Sequence, residues 1–361
     1  MVEPGDIIID RYRVLEDLNG RFSKTFEVQD TIKNDLKVMK VLIPCINPRL
    51  EEFFQREFTA LRKFQHPGIP RGQEYGYYMF RCPHTDEILH GFVMEKIAGQ
   101  DLGKWLRENE RITNTEQAIE WLEQLIDILS YVHSQNYLHR DIKPSNIMLK
   151  PDGKLVLIDF GIVKAIIQRE QKEHDPATII GTPGYNSREQ QQGLADIDYR
   201  ADFFSLGRTF LHLLTGTCPG PDEHPRFRQD QSGNLLWQDQ APGISQEFKD
   251  LIDYLMEPRR ERRPQNIKQI LELIDNIRYP QPGVVPIEDD ESVGIPTKLG
   301  KPPQFRPLFV FSSVAFNFVF LTLPAMGVRL EEIPGLQVLF VVIICVISGF
   351  LVVPWIKYYL L

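Results

Sequence analysis

Cysteine is sparse in this chain: four among 361 residues, at positions 45, 82, 218 and 345. They lie too far apart for a disulfide framework or for the doubled pair of a zinc site, so a reducing compartment is expected. The local CPH of Cys82 to His84 offers two ligand types but no second pair nearby, and it reads as a solvent-facing loop. Positive charge is not in excess either, with 41 Lys and Arg against 49 Asp and Glu and a net charge of −8. No basic stripe is available to displace counterions from a phosphate backbone, and nucleic acid is set aside as a partner. The opening MVEPGDIIIDRYRV has no basic segment leading into an apolar run, so no secretory signal is expected. Glycine is scarce at one telling place: LNGRFSKTF, residues 18–26, links two strand-like runs and holds a single glycine.

What is present divides into three parts. From residue 12 to 43 the runs RYRVLEDL, KTFEVQD and LKVMKVLI alternate or are β-branched and are separated by polar turns, which predicts an antiparallel meander. PRLEEFFQREFTALRKF, residues 48–64, then sets Phe53, Phe54, Phe58, Leu61 and Phe64 at helical spacing, and HPGIP ends it. After the apolar runs EYGYYMF and LHGFVMEKI the period becomes helical. TEQAIEWLEQLIDILSYVHSQN, residues 115–136, is predicted as an amphipathic helix opened by Thr115, with Ala118, Trp121, Leu122, Leu125, Leu129 and Val132 along one side. Strands followed by helices predict an α+β architecture.

Between residues 280 and 307 the composition turns to seven prolines and three glycines around the acidic EDDES, the signature of an extended linker. Beyond it, residues 307–328 and 333–356 are free of charge and separated by RLEE. A helix rising about 1.5 Å per residue crosses a hydrocarbon layer of about 30 Å in roughly 20 residues, so each stretch is long enough to span. A pair of buried core helices is the rival reading, disfavoured because nothing amphipathic accompanies the two runs. Lys298, Lys301 and Arg306 before the first span and Lys357 after the second place both ends in the cytoplasm. Asn317 is the one strongly polar side chain of the first span and a candidate for a helix–helix hydrogen bond.

The strongest signal is YLHRDIKPSNIML, residues 137–149, followed by LIDFG at 157–161. With these motifs the chain resembles the eukaryotic-type (Hanks-type) serine/threonine protein kinases of bacteria across roughly residues 12–275. The resemblance implies an N-lobe at about 12–95 and a C-lobe at about 98–275, to which the composition adds a linker at 276–306 and two transmembrane helices at 307–328 and 334–356. The resemblance implies phosphoryl transfer from ATP, with Mg²⁺ (or Mn²⁺ in its place), to protein hydroxyls; with the two spans and their flanking charges, a membrane-anchored signalling enzyme whose kinase domain faces the cytoplasm is expected. Protein substrates, the lipid bilayer and a second copy of the chain are the partners it suggests.

The roles follow the charge that must be handled: cations neutralise the phosphates, carboxylates hold the metal, and one carboxylate orients the nucleophile. Asp159 and Asn146 are hard oxygen ligands suited to Mg²⁺. Asp141 resembles the residue that takes the hydroxyl proton, and Lys143 the lysine that serine/threonine kinases direct at the γ-phosphate. Lys40 matches the strand lysine that holds the α- and β-phosphates, and Glu57 its ion-pair partner; an unpartnered ammonium in that apolar strand would be costly. FVMEKIAGQD resembles the hinge, with Met94 as gatekeeper, Glu95 to Ile97 offering backbone groups to adenine, and Asp101 either reaching the ribose or capping a helix. In GTPGYNSRE, Thr182 is expected to hydrogen-bond near Asp141 and Lys143, Arg188 stands where the family has proline, and Glu189 should pair with Arg263. Asp202 is expected to cap the backbone of the catalytic loop.

Two features stay open. Arg140 marks a site held in check until an anion reaches it, either a phosphate on Thr178 or the charge of Glu173 or Asp175. The glycine-poor loop keeps Gly20, the tip aromatic Phe22 and the small Ser23, and Asn19 tolerates positive φ, so it is expected to close over phosphates less tightly. An active kinase is the reading; the alternative is a membrane-tethered pseudokinase acting as a binding scaffold.

Overall fold

The computed structural model describes residues 2–18, 23–43, 48–160, 182–192, 196–220 and 226–280. Gly20, Phe22, Thr178 and both expected membrane spans lie outside the described residues. Among the described residues no helix is long and apolar enough to cross a membrane.

The first lobe is a six-stranded antiparallel sheet of β1 (Ile7–Ile8), β2 (Tyr12–Asp17), β3 (Ser23–Asp30), β4 (Asp35–Leu42), β5 (Gly72–Arg81) and β6 (Ile88–Glu95), in the order β1-β2-β3-β4-β6-β5. Alternation sorts its side chains by face. Tyr12, Val14, Phe26, Val28, Met39, Val41 and Val93 form one buried cluster. Leu42 and Phe92 face the other way, toward α1 (Pro48–Lys63), where Phe54 and Phe58 meet Phe92 at ring separations of 4.8 and 5.6 Å. Lys40, between Met39 and Val41, therefore shares the face that α1 covers. Cys82 does not face solvent as a loop residue would: it is buried in the first cluster, while the exposed His84 pairs with Asp6 at 3.0 Å. The charge sits on the outside of the turn and the small apolar thiol fills the core.

The second lobe packs α2 (Leu102–Asn109), α3 (Thr115–Ser134), α4 (Arg188–Gln191), α5 (Arg200–Thr215), α6 (Gln246–Leu255) and α7 (Ile267–Arg278), with a small sheet of β7 (Gln100–Asp101), β8 (Ile147–Leu149) and β9 (Leu155–Leu157). Nine apolar side chains of α3 are buried, the Leu, Ile and Val among them each stabilising by roughly 1.5–3 kcal/mol. The cap of α3 is Asn114, one residue before the expected Thr115: Asn114 Oδ1 accepts from the Glu116 amide at 2.8 Å, and Thr115 Oγ1 instead accepts from the Ser245 amide at 2.8 Å. Almost every residue of α5 is buried, polar Asp202, Arg208 and Thr209 included, which makes it the central post of the lobe. It ends at Gly216 with φ 71°, and a Cβ there would meet the Glu110 carbonyl at 2.6 Å. Arg278 ties α7 back to α3 through Glu123 at 2.8 Å and Glu116 at 2.7 Å.

Candidate active site

The face of β4 toward α1 carries one buried ammonium between two carboxylates. Lys40 Nζ donates to Glu57 Oε1 at 2.7 Å and to Asp159 Oδ1 at 2.5 Å. Burial alone would strip the proton from Lys40, but Asp159 and Glu57 outweigh it and hold the ammonium charged. Burial pushes the Glu57 carboxyl up to about 7, with Lys40 pulling it down and the Asp159 charge adding to the rise. Glu57 is 1% exposed and its Oε2 has no hydrogen-bond partner among the described residues, while the Asp159 side chain is 46% exposed. One ammonium thus links strand, helix and the LIDFG segment, with its third proton unused among the described residues.

The catalytic-loop motif folds around Asp202 of α5. Asp202 Oδ2 accepts from the His139 amide at 2.9 Å and Oδ1 from the Arg140 amide at 2.8 Å, and His133 Nε2 lies 2.9 Å from Oδ2. Burial works against that carboxylate, yet His133, His139 and the Arg140 amide hold its proton affinity below the ordinary value. Arg140 takes φ 66°, a costly left-handed turn for a non-glycine residue, and Gln190 Nε2 fixes its carbonyl at 3.0 Å. Burial lowers the proton affinity of the Arg140 guanidinium, against the pull of Asp202. His139 is kept neutral by burial; its Nε2 bonds the Ile158 carbonyl at 3.1 Å, so the proton is on Nε2 and Nδ1 accepts from the Asp141 amide at 3.3 Å. Its ring lies 4.8 Å from that of Phe160, tilted by 46°, and Phe160 in turn meets Phe64, just past the end of α1, at 5.4 Å.

Asp141, 2% exposed on its side chain, is the hub. Thr182 Oγ1 donates to Asp141 Oδ1 at 2.7 Å, Lys143 Nζ lies 3.0 Å from Oδ2 and donates to Thr182 Oγ1 at 3.1 Å, and Asn146 Nδ2 donates to Oδ2 at 2.8 Å. A second bond from Asn146 Nδ2 to the Asp141 carbonyl at 2.8 Å settles the amide orientation and turns Oδ1 into the available acceptor. Oδ1 of Asn146 and the half-exposed carboxylate of Asp159 are hard oxygens that fit Mg²⁺. Asp159 itself takes φ 62°, a second strained residue beside the reacting centre.

The remaining expected residues are placed as follows. Asp101 caps α2, its Oδ1 accepting from the Lys104 amide at 2.9 Å. Glu95 ends β6 and receives the Arg71 amide at 3.2 Å on Oε2, and Ile97 is half-buried in the crossing between the lobes. Ser23 opens β3, opposite Leu42, and Lys24 Nζ bonds Asp17 at 2.9 Å across the base of the glycine-poor loop. Arg188 stands exposed at the first position of α4 behind the Ser187–Gln190 capping box. An N–H has no helical acceptor at that position, which is why proline suits it and why arginine costs little. Glu189 and Arg263 form a bidentate pair at 2.5 and 3.0 Å. Residue type and spacing carry no signal for Gln190 on the Arg140 carbonyl or for Tyr185 on His212, where the hydroxyl meets Nδ1 at 2.6 Å. His139 sat inside the motif, but its tautomer became readable only from Ile158.

Residues 12–273 match the family described as protein kinase domain. The chain is similar to serine/threonine-protein kinase C of Synechocystis sp., 34% identical over 267 residues that cover 70% of this chain and 47% of the relative. It is also similar to serine/threonine-protein kinase PknA of Nostoc sp., 32% identical over 298 residues, 79% of this chain and 50% of the relative. This chain therefore spans about half the length of the curated relatives it matches. A solved structure titled PpkA-294 apo form superimposes with a TM-score of 0.60 at 20% identity, covering 76% of this chain and 99% of that one, a likeness of fold.

Proposed function

The chain belongs to the protein kinase domain family, and from that premise we propose that it transfers the γ-phosphoryl group of ATP to Ser and Thr hydroxyls of proteins, its own Thr178 included. The observation that carries the proposal is the threonine hydroxyl donating to Asp141 Oδ1 at 2.7 Å with the Lys143 ammonium 3.0 Å from the other oxygen. A carboxylate that accepts a hydroxyl proton, beside a cation, is the arrangement that phosphoryl transfer to an alcohol requires.

Asp141 orients the acceptor hydroxyl, whose oxygen bonds to the γ-phosphorus as the bond to the β–γ bridging oxygen breaks; the hydroxyl proton passes to the carboxylate and ADP leaves. Lys143 faces the negative charge spreading over the transferred group. Lys40 holds the α- and β-phosphates while Glu57 keeps its ammonium in place. Asn146 and Asp159 would hold Mg²⁺, which would neutralise phosphate charge. Glu95 and Ile97 offer backbone groups to adenine, and Asp101 stands at the ribose end while capping α2. Gly20, Phe22 and Ser23 are assigned to cover the phosphates, and a phosphate on Thr178 would engage Arg140. Charge-free residues 307–328 and 334–356 anchor the enzyme as a membrane hairpin, with the kinase domain and both ends in the cytoplasm; homodimers in that membrane would allow one copy to phosphorylate another.

Phosphosite mapping by mass spectrometry on the full chain with ATP and Mg²⁺, beside an Asp159→Ala control, tests this. Phosphate on Thr178 in the parent and none in the control is the expected outcome. No phosphate from a folded chain, on itself or on a generic acceptor protein, would leave the pseudokinase scaffold as the reading.

A further inference from the structure

The helical lobe holds a cleft of about 570 Å³ away from Lys40 and Asp141. One face of α2 lines it with Leu106, Arg107 and Glu110, and Arg111, His212 and Thr215 complete the wall. Resting on the kinase reading above, we propose that this cleft is a specificity pocket that takes the carboxylate side chain of an Asp or Glu lying near the acceptor hydroxyl in the protein substrate.

The first ground is reach. Thr182 touches Asp141 at 2.7 Å, the turn from Thr182 to Tyr185 is closed by a backbone bond of 3.2 Å, and the Tyr185 hydroxyl meets His212 at 2.6 Å. An unbroken path of contacts therefore runs from the Asp141 carboxylate, through Thr182 and Tyr185, to His212 in the wall of the cleft. The segment that bears on the acceptor and the wall of the cleft are joined by that one hydrogen bond.

The second ground is charge. Arg107 is exposed and has no ion-pair or hydrogen-bond partner among the described residues, and Arg111 uses NH1 on the Gln240 carbonyl at 3.1 Å. Glu110 is the one acid among the described residues that line the wall, and Lys104 and Glu108, both exposed on α2, carry opposite charges. Arg226 adds a positive field felt at His212, lowering its proton affinity beyond what burial does. In a chain of net charge −8 this is a locally cationic hollow with a neutral imidazole at its floor. Guanidinium groups present paired N–H donors that match a carboxylate.

The third ground is strain. Glu110 has φ 66° and ψ −57°, and the Arg111 amide bonds the Asn109 carbonyl at 2.7 Å, the rare tight turn over three residues. Such a backbone costs on the order of 1–3 kcal/mol in a non-glycine residue and concentrates where a binding wall must be held. Here it reverses the chain so that Arg111 reaches Gln240 and the Glu110 carbonyl packs on Gly216, leaving the wall fixed before any ligand arrives.

The test uses the full chain and fluorescent peptides with one acceptor Ser or Thr, flanked at each position in turn by Glu, Gln or Lys. Binding is read by anisotropy and turnover by kcat/KM. Glu is expected to win over Gln by about fivefold at one or two positions, the upper range for a partly exposed charge pair, and the preference should fade in high salt. Arg107→Gln should erase it. His212→Glu, which keeps an acceptor for the Tyr185 hydroxyl, should turn it toward Lys. Equal binding of the three peptides, a Lys preference in the parent, or an unchanged preference in Arg107→Gln overturns the proposal. If no peptide is phosphorylated the kinase reading fails instead, and anisotropy still decides the pocket.

Discussion

Both lobes contain a buried ion pair, and the two pairs are built to opposite ends. Arg263 in the helical lobe spends all five of its N–H donors: two on Glu189, and the rest on the carbonyls of Glu257, Arg200 and Pro258, with Phe204 stacked 4.9 Å from its guanidinium. Lys40 in the sheet lobe spends two of three, shares itself between two carboxylates, and leaves Glu57 Oε2 without a partner among the described residues. A closed pair holds a shape. An open one keeps a charge waiting at the edge of a cleft, and its incompleteness is tolerable because the Asp159 side chain is half in solvent.

Breaking the closed pair should have the largest effect. Arg263→Met strands Glu189 in the core and should cost about 3–5 kcal/mol of stability, read from urea denaturation. A loss under about 1 kcal/mol would show that the lobe does not depend on the pair. Lys40→Met should divide the phenotypes: phosphoryl transfer falls by about 10²–10³, while the unfolding free energy changes by less than about 1.5 kcal/mol, because methionine fills the space and Glu57 can take a proton. Equal damage to stability in the two variants would erase the contrast.

The pH response of the open pair sharpens the comparison further. Unfolded, Glu57 releases its proton near 4.5; folded, it does so near 7. Between those values the folded state holds a proton that the unfolded state has lost, so this contribution to stability is fully present below about 4.5 and is lost as pH rises to about 7. Denaturation midpoints at pH 5, 6, 7 and 8 should show the parent losing ground to Glu57→Gln from pH 5 to 7 and holding level above. A parent that gains on the variant over that range would mean that Lys40 controls the pair at every pH.

The fold was legible because its signals are local or ordered: alternation in β2 to β4, helical spacing at Phe54, Phe58 and Leu61, and motifs whose order along the chain no surface loop reproduces. Lys40, Asp141, Asn146 and Asp159 could be named from those motifs. Their contacts could not. That Lys40 touches Asp159 as well as Glu57 depends on a separation of 119 residues, and the Gln190 bond to a backbone carbonyl leaves no trace in residue type. Asn114 was passed over for Thr115 because both are good caps and only the path of residues 243–245 draws the threonine away. Cys82 was placed outside since its neighbours are polar, whereas the turn points it inward.

The hold of Asp202 on two consecutive amides reaches beyond geometry. The strand-poor loop at His139 and Arg140 owes its backbone hydrogen bonds to a carboxylate on the most deeply buried helix of the lobe. Both amides are therefore expected to exchange with solvent far more slowly than those of an ordinary loop, because their acceptor is fixed in the core. In the hydrogen-exchange clock of this protein, the loop at the heart of the site keeps the time of the core.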